Sequence, residues 1–266
     1  LTTLTRVTRI TLPAVLLAGV ASLGAACNSS NVDPTLPPPG TVNPDQFLFD
    51  RGTADMGRKN YVEAREYFRK IVDSYPQSPR RAEAKLGMGD SYVAENRIDA
   101  DILAINEYRE FLQFFPTHPK DDYAQYEICV AQGRQILSAE RDQTATAEAV
   151  KQDELFLDRY PASPYRPDVE KLHRAAKDRL SDHELRVGMF YFHLKGFGGA
   201  TDRFNYLLAH DPGYTNRDVV YYYLAESLVA TKLEPAALPY YQKVVTEFPN
   251  SKYVEASKKR IAALKR

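Results

Sequence analysis

A small residue, an aromatic four places on and a proline eight places after that recur along this chain, and this spacing constrains its fold more than any other feature. Ala64, Phe68 and Pro76 form one copy, and Ala104, Tyr108 and Pro116 a second. Ala200, Phe204 and Pro212, then Ala237, Tyr241 and Pro249, form two more. A further copy, Ala149, Asp153 and Pro161, keeps both ends and has lost the ring. Residues four apart share one helical face, so the small position admits a neighbouring helix while the ring fills the space beside it. The proline stops the helix. Upstream, Gly188-x2-Tyr191 and Tyr221-x2-Leu224-Ala225-x2-Leu228 each end nine residues before the small position, where the first helix of a helix-turn-helix unit belongs.

Self-similarity of this kind, at roughly 34 residues per unit, is the tetratricopeptide pattern. The fold class it predicts is all-α: a tetratricopeptide-repeat solenoid of about five helix-turn-helix units with a C-terminal capping helix. In the first unit, helices around 46–57 and 61–74 are separated by Arg58-Lys59-Asn60. The second carries extra residues, assigned to its turn between Glu95 and Asp101. In the third, Arg141-Asp142-Gln143 is expected to form the turn, with Asp142 capping the next helix and Phe156 or Leu157 replacing the missing ring. The fourth has a long first helix from Asp168 to about His193. The fifth runs from Thr215 to Pro249, and an amphipathic helix over 254–264 closes the stack, as a terminal repeat requires. A solenoid presents an extended concave surface, which points to binding rather than catalysis.

Residues 1–26 read as a lipoprotein signal peptide: Arg6 and Arg9, an apolar run from Ile10 to Leu23, then small residues up to Cys27. Leu23-Gly24-Ala25-Ala26-Cys27 resembles a bacterial lipobox, which makes Cys27 the candidate lipidation site. Residues 27–44 hold Pro34, Pro37, Pro38, Pro39 and Pro44 and read as a Pro-rich tether. At roughly 3 Å per residue such a spacer reaches up to about 50 Å. The repeat domain then occupies 45–266. Cys129, the other cysteine, sits in a helical segment and reads as a small buried hydrophobe rather than a disulfide partner or nucleophile.

Charge argues against nucleic acid. Lys+Arg and Asp+Glu are both 35, and without residues 1–26 the balance is 33 to 35, a net charge of −2 with no basic stripe. Lys258-Lys259-Arg260 reads as the solvated end of the last helix. Of the five histidines, His183 opens HELRV, which has Val187 where a zinc-protease motif needs its second histidine. Gly196, Gly198 and Gly199 serve a turn rather than a phosphate loop. No cofactor, metal or catalytic residue is expected, and an enzyme reading would need a second domain for which no residues remain.

Together, the signal peptide and lipobox, the tether, five units ending in YPQSP and YPASPY, the FLQFFPTHP and DDYAQY segments, RDQ, and HELRVGMFYF leading into a G-x-G-G-A-T-D-R-F turn resemble the BamD family. These are the lipoproteins of the outer-membrane β-barrel assembly machinery, also described as competence lipoproteins. The resemblance covers roughly residues 27–260. It implies a non-catalytic scaffold, lipid-anchored on the periplasmic face of the outer membrane, touching that membrane through its anchor only and binding no nucleic acid. The partners it implies are a BamA-like POTRA protein, other lipoproteins of the complex, and unfolded outer-membrane proteins. Arg203 falls where the family carries an arginine associated with docking BamA. For the substrate-peptide groove, Arg51, Lys85, Tyr92 and Tyr126 are candidates, because first helices line the concave face and cationic and aromatic groups suit an aromatic-ended peptide carboxylate. The alternative is another periplasmic tetratricopeptide lipoprotein, scaffolding a cell-envelope complex of Tol or division type. Those usually carry an N-terminal coiled coil, which residues 28–44 cannot form.

Overall fold

Each second helix of the repeat ends for the same local reason. Tyr75, Phe115, Tyr160, Asp211 and Phe248 all precede a proline, and all five leave the helical region with φ between −136° and −123°. The ring of the following proline excludes the α conformation there. In the computed structural model, which describes residues 36–265, this punctuation separates eleven α-helices. They are α1 (Pro44–Gly57), α2 (Tyr61–Ser74), α3 (Arg81–Ala94), α4 (Ile98–Phe114), α5 (Asp121–Arg134), α6 (Thr144–Arg159), α7 (Arg166–His193), α8 (Phe197–His210), α9 (Arg217–Ala230), α10 (Glu234–Glu247) and α11 (Val254–Leu264).

The chain from Pro37 onward is a tetratricopeptide-type solenoid, all-helical among the described residues, with five helix pairs and a closing helix. Each helix packs on its predecessor and its successor. First helices of adjoining units also touch, α1 with α3, α5 with α7 and α7 with α9, and no comparable contact joins successive second helices. The first helices therefore form the inner wall.

The repeat residues do the packing assigned to them. Ala64, Ala104, Ala149, Ala200 and Ala237 are all buried, as are Phe68, Tyr108, Phe204 and Tyr241. The rings sit on glycines of the first helices: Phe68 between Gly52 and Gly87, Tyr108 on Gly89, and Phe204 on Gly188. In the third unit, Phe156 is fully buried against Cys129 and Val169, and so supplies the missing ring. Asp153 nevertheless stays at the aromatic position, 1% exposed.

Four turns share one device. Lys59, Asn96, Lys195 and Lys232 are each the middle residue of a three-residue link between paired helices, and each has positive φ, from 52° to 65°. Two expectations are corrected by this geometry. The extra residues of the second unit extend α4 at its start instead of its turn, which is only Glu95-Asn96-Arg97; Ala100 and Asp101 are buried there, and Asp101 pairs with Arg134 at 3.0 Å. The described end of the tether is not extended throughout. Thr41 N–H and Oγ1 both bond Pro38 O, closing a turn over Pro39 and Gly40, whose φ of 84° suits glycine.

In the third unit the link spans residues 135–143; Asp142 Oδ1 accepts the Thr144 N–H at 2.9 Å from one residue ahead of the cap position, which Gln143 occupies without a side-chain cap bond. The long α7 supports this link. His183 Nδ1 bonds Ala139 O at 2.8 Å, and Arg186 pairs with Glu140 at 2.5 Å.

Candidate partner-binding surfaces

The second half of α7 and the adjoining α8 present a group of exposed apolar side chains. Phe190 is 61% and Leu194 65% exposed, one helical turn apart, with Tyr191 and Tyr206 beside them at 38% and 47%. Gly199, in the first turn of α8, makes room for this arrangement: a Cβ there would meet the Tyr191 ring at 3.3 Å. Arg203, on α8, is half-exposed and holds Glu184 of α7 through a single contact at 3.3 Å.

Three cavities adjoin around these residues. One of about 330 Å³ lies between α6, α7 and α8. A second, of about 400 Å³, is lined by Tyr191, Gly199, Asp202, Arg203 and Tyr206. The third, about 440 Å³, runs between the 135–143 link and α7, past His183, Val187 and Phe190. Tyr206 is common to the first two, Tyr191 to the last two, and His183 to the first and third, so they form one corrugated surface.

Its base is rigid. Arg174 forks onto Asp211 at 3.0 and 2.5 Å, and Ser181 Oγ donates to the same carboxylate at 2.7 Å. Burial alone would raise the Asp211 carboxyl, but the bonds from Arg174 and Ser181 hold it below the ordinary range. Tyr206 stacks on His210 with ring centres 3.8 Å apart.

The four groove candidates lie on the inner helices α1, α3 and α5, each engaged with different neighbours. Arg51 is exposed and lies over the ring of Phe47, one turn back, at 5.4 Å. Lys85 is only 5% exposed, with its ammonium held by Glu107 and, at 2.6 Å, by Glu110. Burial opposes that charge, and the two carboxylates outweigh it and raise the lysine above its ordinary range. Tyr92 lies beneath the guanidinium of Arg65 at 4.0 Å. Tyr126 stacks on Tyr165 at 4.5 Å. Lys85 is therefore not the open groove cation expected from the sequence: its ammonium is buried between α3 and α4, where two carboxylates hold it, and of the four candidates Arg51 alone is exposed.

A cavity of about 490 Å³ on the same inner side, lined by Asp90, Lys120, Asp122, Tyr123, Tyr165 and neighbouring prolines, was not anticipated by composition. Cys27 lies outside the described residues. Cys129 is a free, buried thiol, pushed up by burial and then by the Asp153 charge, which suits packing and not nucleophilic chemistry. Among the described residues no cluster of side chains could hold a metal ion, and no helix is long and apolar enough to cross a membrane.

The chain is similar to known proteins along most of its described length. The family model YfiO, described as outer membrane lipoprotein, matches residues 42–237. The chain is 29% identical over 181 residues to outer membrane protein assembly factor BamD of Caulobacter vibrioides, a match covering 67% of this chain and 58% of that protein. For the protein of the same name from Xylella fastidiosa the identity is 25%, over 64% of this chain and 60% of the relative. For that of Rickettsia prowazekii it is 24%, over 80% and 83%. The chain thus spans about three fifths of the length of the first two. Among solved structures, the TPR2AB domain of yeast Sti1 aligns over 83% of both chains with 12% identity and a TM-score of 0.44.

Proposed function

Because the chain belongs to the YfiO family of outer membrane lipoproteins, we propose that it is a non-catalytic scaffold for assembling outer-membrane proteins. In this reading residues 1–26 are a cleaved signal peptide, and Cys27 carries the lipid that holds the protein to the outer membrane. Residues 27–44 are the tether and 45–266 the working domain. The inner faces of the first units receive unfolded outer-membrane proteins, with Arg51, Tyr92 and Tyr126 as contacts and Lys85 as a buried support. The fourth unit docks a BamA-like POTRA protein through Arg203.

The observation that carries the docking part is the surface around Arg203. Exposed apolar groups collected in adjoining cavities beside a lightly held cation are the makings of an interface: aromatic anchors at the centre and a charge to fix register. Relatives named as assembly factors in three bacteria support the process.

Affinity purification of the full chain from gently extracted membranes tests it. Arg203→Glu is expected to lower recovery of the barrel-forming partner at least about tenfold, the scale of one interfacial charge pair, with helical signal and melting temperature unchanged. Full recovery with the variant would remove Arg203 from the interface, and absence of that partner from the wild-type eluate would overturn the reading.

A further inference from the structure

The second and fifth units carry the same buried device, completed in one and open in the other. In the fifth, the repeat ring Tyr241 donates its hydroxyl to Glu226, the tenth residue of α9, at 2.5 Å. In the second, Tyr108 donates to Asp90, the tenth residue of α3, at 2.7 Å. Both carboxylates directly follow the small residue of the first helix, Ala225 and Gly89. Glu226 is then neutralised by Arg260, the seventh residue of α11, whose guanidinium forks onto both its oxygens at 2.8 and 2.5 Å.

The next first helix after Asp90 is α5, and its seventh residue is Glu127. Where the fifth unit supplies an intramolecular guanidinium, the second faces another carboxylate. Burial, and after it the Asp90 charge, push the Glu127 carboxyl up to about 7, against the weaker opposing effects of the Arg134 charge and a bond from Tyr123. Asp90 keeps one oxygen, Oδ1, fixed by the hydroxyls of Tyr108 and Tyr123, the latter at 2.9 Å. It also lines the cavity of about 490 Å³ that opens beside it. Tyr123 and Tyr165 wall that cavity, with ring centres 6.0 Å apart, and Tyr126 backs Tyr165. Asp122, whose Oδ2 accepts the Ser163 hydroxyl at 2.7 Å, adds a second carboxylate, and the exposed Lys120 on the cavity rim partly offsets the burial of Asp90.

We propose that this cavity is a binding site for an arginine side chain carried on an extended segment of another protein, its guanidinium taking the place that Arg260 fills against Glu226. A planar cation stacks on tyrosine faces and forks onto carboxylates, which an ammonium does less well. The chain already uses that combination internally, where Arg65 lies over Tyr92 and pairs with Glu95 at 2.6 Å. This deepens the reading of the inner face as a peptide groove, and rests on it only for the source of the arginine.

The test titrates the full chain, with tyrosine rings isotopically labelled, with acetyl-Gly-Arg-Gly amide and with its citrulline counterpart, a neutral isostere, at low salt. The arginine peptide is expected to shift the Tyr123 and Tyr165 signals saturably and to bind at least about tenfold more tightly than the citrulline peptide. Glu127→Arg, which installs the internal guanidinium, should abolish that response. Glu127→Gln should weaken it several-fold, and it decides the matter alone if the arginine variant loses helical signal. Equal responses to the two peptides, no response to either, or wild-type binding by Glu127→Gln would overturn the proposal. A barrel-type C-terminal strand peptide run in parallel separates the two readings: its binding with no arginine preference leaves the groove and removes this site, and the converse removes the groove.

Discussion

Ser78 Oγ donates to Asp45 Oδ2 at 2.6 Å, tying the YPQSP segment that follows α2 to the second residue of α1. Ser163 holds Asp122 of α5 at 2.7 Å and Ser251 holds Asp218 of α9 at 2.5 Å in the same way. In each case the serine oxygen also accepts the N–H two residues on, from Arg80, Tyr165 or Tyr253. The serine of the repeated ending is therefore a clasp that closes a unit on its own first helix. In the fourth unit Thr215 does this to Asp178, at 2.6 Å.

Removing one clasp should cost stability in a pH-dependent way. The Ser78 bond is the main reason the Asp45 carboxyl is held below its ordinary range. A carboxyl with a lowered folded pKa stabilises the fold above its unfolded value, near 4, and loses that contribution as pH falls through the folded value. Ser78→Ala is therefore expected to lower unfolding free energy by about 1 kcal/mol at pH 7, with the gap to wild type narrowing below pH ~4. Urea unfolding at pH 7 and pH 3 measures both gaps, and equal gaps would show that the charge on Asp45 does not matter.

The ring-on-glycine contacts predict opposite signs for one substitution at different sites. A Cβ at Gly89 would stand 2.6 Å from the Tyr108 ring, and one at Gly52 2.6 Å from that of Phe68. Both rings are buried and cannot retreat. Gly89→Ala and Gly52→Ala should each destabilise by about 1–3 kcal/mol, the cost of overpacking. Gly198, in the first turn of α8, has nothing within 4 Å of its Cβ position. Gly198→Ala should gain a few tenths to about 1 kcal/mol through helix propensity. Thermal denaturation of the three variants reads the sign directly.

Second helices were the legible part of this fold, because small residue, ring and proline each perform a local steric task. First helices carry weaker marks. Gly52 and Gly87 matter through Phe68, which belongs to another helix, and nothing adjacent in sequence signals that pairing. Spacing alone could not say whether the extra residues before Ala104 lengthen the turn or the helix, because Asp101 is held in α4 by Arg134, 33 residues away. Lys85 looked like a groove cation for the same reason: Glu107 and Glu110 meet it only across the α3–α4 pair. Phe190 and Leu194 share the four-residue spacing of core pairs, so their exposure could be known only from the stack. The open position opposite Asp90 needs two units superposed before Glu127 stands out against Arg260.

Left-handed turn residues offer a test of the repeat geometry. Lys59, Lys195 and Lys232 hold φ of 65°, 61° and 62°, a conformation that costs a side-chain-bearing residue about 1–2 kcal/mol relative to glycine. Glycine's greater freedom when unfolded offsets part of the gain. Lys195→Gly and Lys232→Gly are each expected to raise stability by about 0.5–1 kcal/mol, whereas alanine at these sites should leave it nearly unchanged. Indifference to glycine in urea melts would mean that these turns relax without the left-handed residue.

Asp153 occupies the place of a repeat ring, almost fully buried, with Oδ1 lacking a hydrogen-bond partner. Burial is the chief cause that pushes its carboxyl up to about 7, with the neighbouring Glu154 charge adding to it and the Cys129 thiol opposing it. A raised folded pKa has the opposite sign to that of Asp45. Between the unfolded value near 4 and about 7 the native state binds the extra proton, so stability falls as pH rises through that window. Above it the buried charge is a fixed penalty. Asp153→Asn keeps the shape and removes the charge, and is expected to raise unfolding free energy by about 1–3 kcal/mol at pH 8 while changing little at pH 4. Denaturant melts of both proteins across pH 4–8 test this, and parallel curves would mean that water or a shift of the third unit relieves Asp153 at no cost.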